Sequence, residues 1–406
     1  MTSYQLSARA ANIKSSDVRD LLQYAGQADM ISLAGGLPAA ELFDVEGISA
    51  ACDQALRQSS TASLQYGMTE GQASLKEALI RYLADKGISA SSERLVITSG
   101  SQQALDLMAR AMIDEGDTIA VERPTYLAAL QAFNLCAPKY VSIGVDHDGG
   151  CVHDLENLPP TQLPKFVYVV TNFANPSGAS MSLERRRWLV HWAVRNQVFV
   201  LEDDPYGDLI SNGKPIASIA SIASTIVGGT EWCGYTSTLS KCIAPGLRIG
   251  WLLLPQALAK TVAKVKQAVD LHTSSFTQEM AACYLNSGRI KTHLPKIQQA
   301  YHERRLVLEG ALREHFGGTL TFASTSGGMF LWARFTDGTN TRDLLAHALK
   351  ANVMFVPGDV FFTEQADTAT LRMNFTGTGP EKLKIGVQRL LQAHKAYRAH
   401  RANCAV

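Results

Sequence analysis

GYTSTLSKCIAPGLRIGW, running from Gly234 to Trp251, sets one lysine among hydroxyl groups and places an arginine just beyond a Pro245-Gly246 turn. A β-rich lead, Trp232-Cys233-Gly234-Tyr235, enters the stretch, and a second apolar run, Ile249 to Leu254, leaves it. Thr236, Ser237, Thr238 and Ser240 offer hydroxyl donors, and the guanidinium fork of Arg248 suits a phosphate. Lys241 lies between them, an amine whose pKa both burial and a nearby cation would depress. A depressed lysine beside an anion seat is what a nucleophile that condenses with carbonyls needs. Local composition alone reads as a surface lysine in a serine-rich loop. The Ser-x-x-Lys pair of penicillin-binding enzymes is a poorer match. Thr238 stands three residues before Lys241, and the chain holds neither Ser-Asp-Asn nor Lys-Thr-Gly.

Outward from this stretch, short β-rich runs alternate with longer helical ones from Leu95 to Leu254, the pattern of a mainly parallel sheet with crossover helices. Val198 to Leu201 runs into Glu202-Asp203-Asp204-Pro205-Tyr206. Three carboxylates ending a buried strand repel one another and need cations or donors to meet them. A metal site would want further histidines or carboxylates close by, and no convincing set occurs. Phe166 to Val170 delivers Asn175-Pro176-Ser177-Gly178, a turn signal. Leu95 to Thr98 delivers Ser99-Gly100-Ser101-Gln102-Gln103, where small residues open a helix and leave N–H groups for an anion, or simply cap it. Thr118 to Val121 leads through Pro124 to Tyr126. No GxGxxG or Walker-type loop is present, so a nucleotide site lacks its signature.

Composition excludes several classes. The chain has 406 residues, 46% hydrophobic and 18% charged, with a formal net charge of +1. That describes a globular chain of two lobes with no electrostatic invitation to nucleic acid or anionic membrane. Seven scattered cysteines argue for reduced thiols. The start lacks the apolar core of a signal peptide, and no apolar run approaches membrane-spanning length, so cytoplasm is the expected location.

Taken together, TLSKCIAPGLRIGW, ISLAGGLP (Ile31 to Pro38), the NPSG turn and EDDPY closely resemble the pyridoxal-phosphate aminotransferases of fold type I, in particular the 2-aminoadipate and kynurenine aminotransferase branch. The resemblance implies an α/β fold: a large domain with a mainly parallel mixed sheet and flanking helices, and a smaller α+β domain. The divisions implied are an arm and part of the small domain at 1–45, the cofactor domain at 46–290 and the small domain at 291–406. The cofactor implied is pyridoxal 5'-phosphate, bonded to Lys241. Gly100, Ser101, Gln102, Thr238, Ser240 and Arg248 match the family's phosphate cup. Tyr126 matches the ring-stacking aromatic, and Asp203 the partner of the pyridine nitrogen. Asn175 and Tyr206 match the residues near the phenolic oxygen.

For substrate, the resemblance assigns Gly36 a place against the amino acid, and Arg372 in Thr370 to Phe375 the α-carboxylate. Read alone, Arg372 is a solvated arginine opposite the face shared by Leu371, Met373 and Phe375. Tyr66, before Gly67, matches a tyrosine that crosses a homodimer interface to the partner's phosphate. Ser16 to Leu22 matches a mobile helix whose arginine, here Arg19, meets a distal carboxylate. The activity implied moves an amino group between an L-amino acid and a 2-oxo acid such as 2-oxoglutarate by a ping-pong route. A lyase or decarboxylase on the same fold is an alternative. So is a non-catalytic effector domain, although the thirty residues before Ile31 leave no room for a winged helix. The chain departs from the family at Asp44 after Phe43, at Lys76 in Gly71 to Lys76, and at Thr325-Ser326 before Gly327-Gly328.

Overall fold

Runs rich in β-branched and aromatic residues suit a sheet covered on both faces, and such a sheet positions the rest of this chain. The computed structural model describes residues 29–404 continuously, with a few isolated earlier positions such as Leu21 and Tyr24. Arg19 and, apart from Leu21, the rest of the Ser16 to Leu22 segment lie outside the described residues. After β1 (Ile31–Ser32), the strands of the large sheet are β2 (Leu95–Thr98), β3 (Thr118–Arg123), β4 (Lys139–Asp146), β5 (Gly149–Gly150), β6 (Phe166–Val170), β7 (Phe199–Asp203), β8 (Cys233–Thr238) and β9 (Gly250–Leu253). Their order is β2-β9-β8-β7-β6-β3-β4-β5. The β8-β7-β6-β3-β4 block is parallel, and β9 runs antiparallel to both its neighbours. The sheet is therefore mixed and mainly parallel, as the alternation of runs predicts.

A second, antiparallel sheet is formed by β10 (Leu320–Phe322), β11 (Phe330–Phe335), β13 (Val356–Pro357) and β14 (Thr370–Asn374), in the order β10-β11-β14-β13. The short β12 (Val353–Met354) pairs in parallel with β1, tying residues near Gly36 to the C-terminal part of the chain.

The helices that matter below are α1 (Val45–Gln58), α2 (Ala73–Ala84), α3 (Ser101–Met112), α4 (Leu127–Asn134), α5 (Leu183–Asn196), α6 (Gln256–Asp270), α7 (Arg289–Phe316) and α8 (Pro380–Cys404). Helix α3 buries Ala104, Leu105, Leu107, Met108 and Ala109, an apolar stripe at helical spacing laid on the sheet. Its neighbour α4 contributes Phe133, whose ring meets Phe166 and Tyr168 edge-on at 5.8 and 5.4 Å. Removing that ring would cost about 3–5 kcal/mol in lost burial and cavity formation. Helix α7 runs for 28 residues, and its last turn packs Phe316 on Phe335. At the end of the chain α8 continues past Tyr397 to Cys404. Arg401 secures it, donating to the Gly338 carbonyl at 3.1 Å and to the Tyr397 hydroxyl at 3.3 Å.

Candidate active site

The parallel strands β6, β7 and β8 end side by side, so Val170, Asp203 and Thr236 lie in register and the residues after them converge. A cavity of about 270 Å³ opens there, with Lys241, Asp203, Tyr126 and Arg372 among its walls. Size and position are those of a small-molecule site at the carboxyl ends of a parallel sheet.

At its floor, Asp203 is buried, and Oδ2 accepts a hydrogen bond from the Tyr168 hydroxyl at 2.7 Å. Oδ1 is buried without a partner. Burial pushes the Asp203 carboxyl up to about 7; the Tyr168 hydroxyl pulls it back, and the charges of Asp204 and Glu202 push it up again. An orphaned carboxylate oxygen facing a cavity is satisfied by a cationic N–H on a ligand. Above it stand Tyr126 and Tyr206, both raised by burial, Tyr126 to about 12.

One end of the cavity is built for an anion. Helix α3 begins at Gly100 with no side chain capping its first turn, so its leading N–H groups stay open. Gly100 has φ +86°, and a Cβ there would fall 2.2 Å from Nη2 of Arg248. Gly250, the first residue of β9, lies against it; a Cβ at that position would lie 2.8 Å from the Ser101 nitrogen. The two glycines let backbone and guanidinium crowd together, which side chains would prevent. Arg248 itself sits in the left-handed region at φ +53°, after Pro245–Leu247, and donates to the Ser99 carbonyl at 3.0 Å. Thr238 and Ser240 complete the seat, their hydroxyls 2.8 Å apart. Gln102 lines the cavity, but its amide donates to the Ala128 carbonyl at 2.9 Å.

The opposite end carries Arg372. It is buried, correcting the solvated reading of that strand face: β14 is covered on both sides. Its Nη1 donates to Asn175 Oδ1 and its Nη2 to the Ala34 carbonyl, both at 2.7 Å, while Nε has no partner. Phe330 and Phe361 flank the guanidinium, with ring centres 4.3 and 5.1 Å away. Between the two ends, the Lys241 ammonium donates to the Gly36 carbonyl at 3.1 Å. Burial, then the charges of Arg372 and Arg248, lower it to about 8. At neutral pH a useful fraction is therefore a free amine.

Fourteen positions were expected in the site besides Arg19: twelve line this cavity, Gly100 lies against the Arg248 guanidinium in its wall, and Tyr66 does neither. Tyr66 is 79% exposed on the outside of the chain, edge-on to His272 at 5.8 Å. Phe330, Phe361 and Tyr168 belong to the site and carried no signal of their own. Each sits in an apolar run where an aromatic reads as core, and only the fold brings it to Arg372 or Asp203.

The donor set fits a group bearing a phosphate, a protonated ring nitrogen and a carbonyl able to meet a lysine amine. Residues 29–390 match the family model for aminotransferase class I and II. The chain is similar to aromatic-amino-acid aminotransferase 1 of Thermococcus litoralis, 38% identical over 96% of this chain and 94% of that one. It is also similar to 2-aminoadipate transaminase of Thermus thermophilus, 33% identical over 95% of each chain. Among solved structures, the kynurenine aminotransferase of Pyrococcus horikoshii, in complex with PMP, superposes with a TM-score of 0.91 at 36% identity, covering 96% of this chain and 97% of that one.

Proposed function

The chain belongs to the class I and II aminotransferases, and from that membership we propose that it transfers amino groups from L-amino acids, both apolar or aromatic and dicarboxylic, to 2-oxo acids including 2-oxoglutarate. The observation that carries this reading is the single cavity holding Lys241, the half-satisfied Asp203 and the half-satisfied Arg372 together. Its cofactor is pyridoxal 5'-phosphate, which supplies a protonated pyridine ring able to take up the electron pair left on the substrate α-carbon.

The protein's own residues do the rest. Asp203 Oδ1, which has no partner, would accept the ring N–H and keep its proton in place. Tyr126 would stack on the ring, and Tyr206 and Asn175 would serve its phenolic oxygen. The open amides of α3, the hydroxyls of Thr238 and Ser240 and the Arg248 fork would hold the phosphate. Arg372 and Asn175 orient the α-carboxylate, which fixes the α-carbon against Lys241. As a neutral amine, Lys241 Nζ would be the base that takes the proton from that carbon and gives it back. A second oxo acid runs the sequence backwards, which gives the ping-pong order.

Breadth of donor is supported by Phe330, Phe361 and Leu127 in the cavity wall, with Arg19 for a distal carboxylate. Leu21, two residues on from Arg19, packs in one cluster with Phe361 and Leu127, both of which line the cavity. A homodimer with shared sites is supported by a strip of exposed apolar side chains, Leu64, Tyr66 and Met68, that one chain leaves uncovered. Among the described residues no helix is long and apolar enough to cross a membrane, and a cytoplasmic enzyme is the reading adopted.

The test is a donor screen against 2-oxoglutarate and pyruvate, following the oxo-acid product. Several apolar or aromatic donors and glutamate or 2-aminoadipate should all serve. Product that forms without any oxo-acid acceptor would indicate elimination or decarboxylation instead, and bound cofactor without turnover would indicate an effector domain.

A further inference from the structure

Behind the anion seat lies a polar cluster that the proposed reaction does not use. Lys266, on α6, is fully buried, and its ammonium donates to both oxygens of Asp270 at 2.6 and 2.8 Å and to Gln103 Oε1 at 3.1 Å. Gln103 also donates to Asp270 Oδ2 at 2.6 Å. The same Gln103 Oε1 accepts the backbone N–H of Ser99 at 2.7 Å. Asp270 Oδ2 accepts the Ser99 hydroxyl at 3.2 Å, and Arg248 takes the Ser99 carbonyl. Every polar atom of Ser99 is thus gripped, immediately before Gly100 and the open amides of α3.

The sequence logic is a displaced cap. A side chain three positions into a helix ordinarily reaches back to the N-cap amide. Gln103 occupies that position but reaches one residue further, to Ser99; the Gly100 amide goes to the Thr98 carbonyl, and the first-turn amides stay bare because Gly100 has no side chain to cap them. Burying an ammonium costs several kcal/mol unless a carboxylate and further acceptors meet it. That requirement locks Lys266, Asp270 and Gln103 into one arrangement.

We propose that Lys266, Asp270 and Gln103 are positioning residues for phosphate recognition: they hold Ser99 so that the uncapped amides of Ser101 and Gln102 keep their aim. This inference rests on the cofactor reading above. Its signature is selectivity, because a ligand lacking the phosphate does not use those amides.

The experiment compares two forms of each full-length protein, one loaded with pyridoxal 5'-phosphate and one with pyridoxal. Cofactor release on dilution is followed by the visible absorbance of the bound group. Gln103→Leu should weaken retention of the phosphorylated cofactor roughly ten- to a hundredfold, the scale of one or two charge-assisted hydrogen bonds. Retention of pyridoxal should change less than twofold. Lys266→Met should behave alike where it folds, and Asp270→Asn offers a milder third variant. Equal weakening of both cofactors, or unchanged retention of the phosphorylated one, would overturn the proposal. Failure of the wild-type protein to retain either compound would instead refute the cofactor reading itself.

Discussion

Two clusters of buried charge meet back to back at the end of β7, and they are built to opposite rules. On one face, Glu202 accepts from the Thr171 hydroxyl at 2.7 Å and the Ala220 amide at 2.9 Å, with Arg186 at 4.0 Å. Arg186 is fully buried and donates to the carbonyls of Met181, Thr171, Ile216 and Ala217 and to Asn172 Oδ1. Asp204, on the same side, takes Asn172, Gly207 and Tyr235. On the other face, Asp203 and Arg372 each keep an unpartnered polar atom. The first cluster is closed and serves the scaffold. The second is left open, and its open valences are what the proposed cofactor and substrate would complete. Unpartnered buried atoms occur elsewhere too, at Trp251 and Arg305 for example. Among the described residues, only Asp203 and Arg372 combine that condition with opposite charges in the walls of one cavity.

The largest effect that would sharpen this contrast is expected from Asp203→Asn. In the loaded enzyme kcat should fall roughly a hundred- to ten-thousandfold, since the ring nitrogen loses the charge that keeps it protonated. Cofactor retention should change far less. The cofactor-free protein should move the other way. A carboxyl raised from 3.8 to about 7 in the folded chain binds its proton more tightly there than when unfolded. Its ionisation therefore costs stability as pH rises from about 4 through about 7, and the cost is fully present above that. Asp203→Asn removes the cost, so at pH 8 its cofactor-free Tm should exceed that of the wild type. A lower Tm would place Asp203 with the scaffold.

Arg186→Met probes the closed face. It strips donors from four carbonyls and leaves Glu202 buried without its cation, so stability should drop by about 3–5 kcal/mol. The kcat of whatever remains folded should stay within a few-fold of wild type. Denaturant melts and active-site titration separate the two quantities, and a large kcat loss at full occupancy would erase the distinction between the faces.

Arg19→Ala should give the smallest effect and the most selective. kcat/KM for glutamate, 2-aminoadipate or 2-oxoglutarate should fall roughly ten- to a hundredfold, about 1–3 kcal/mol of charge-assisted hydrogen bonding. Leucine, methionine and phenylalanine should be little affected. Equal losses in both classes would mean that Arg19 supports the cavity wall without reading the side chain.

How far the sequence reveals these two clusters depends on where each partner sits. The open cluster is legible because its members end strands or turns: Asp203 after Val198 to Leu201, Asn175 in its Pro-Gly turn, Arg248 beyond Pro245-Gly246. The closed cluster is not. Arg186 reads as one of three successive arginines on an exposed helix, and nothing local says that it alone is swallowed by carbonyls from Thr171 and Ala217. Tyr168 in Phe166 to Val170 reads as packing, because its hydroxyl partner lies 35 residues away. Lys266 and Gln103 meet across 163 residues, a pairing that only the β2-β9 edge of the sheet creates. Local pattern identifies groups that chemistry forces to strand ends; it misses those whose meaning comes from a distant neighbour.

The central claim is that the open cluster is completed by a cofactor bonded to Lys241. Borohydride reduction of the loaded enzyme fixes that cofactor to the amine that holds it, and peptide mapping then identifies the residue. The account predicts one pyridoxyl label, on Lys241 within the peptide TLSKCIAPGLR. A label on any other lysine, the buried Lys266 included, would contradict it.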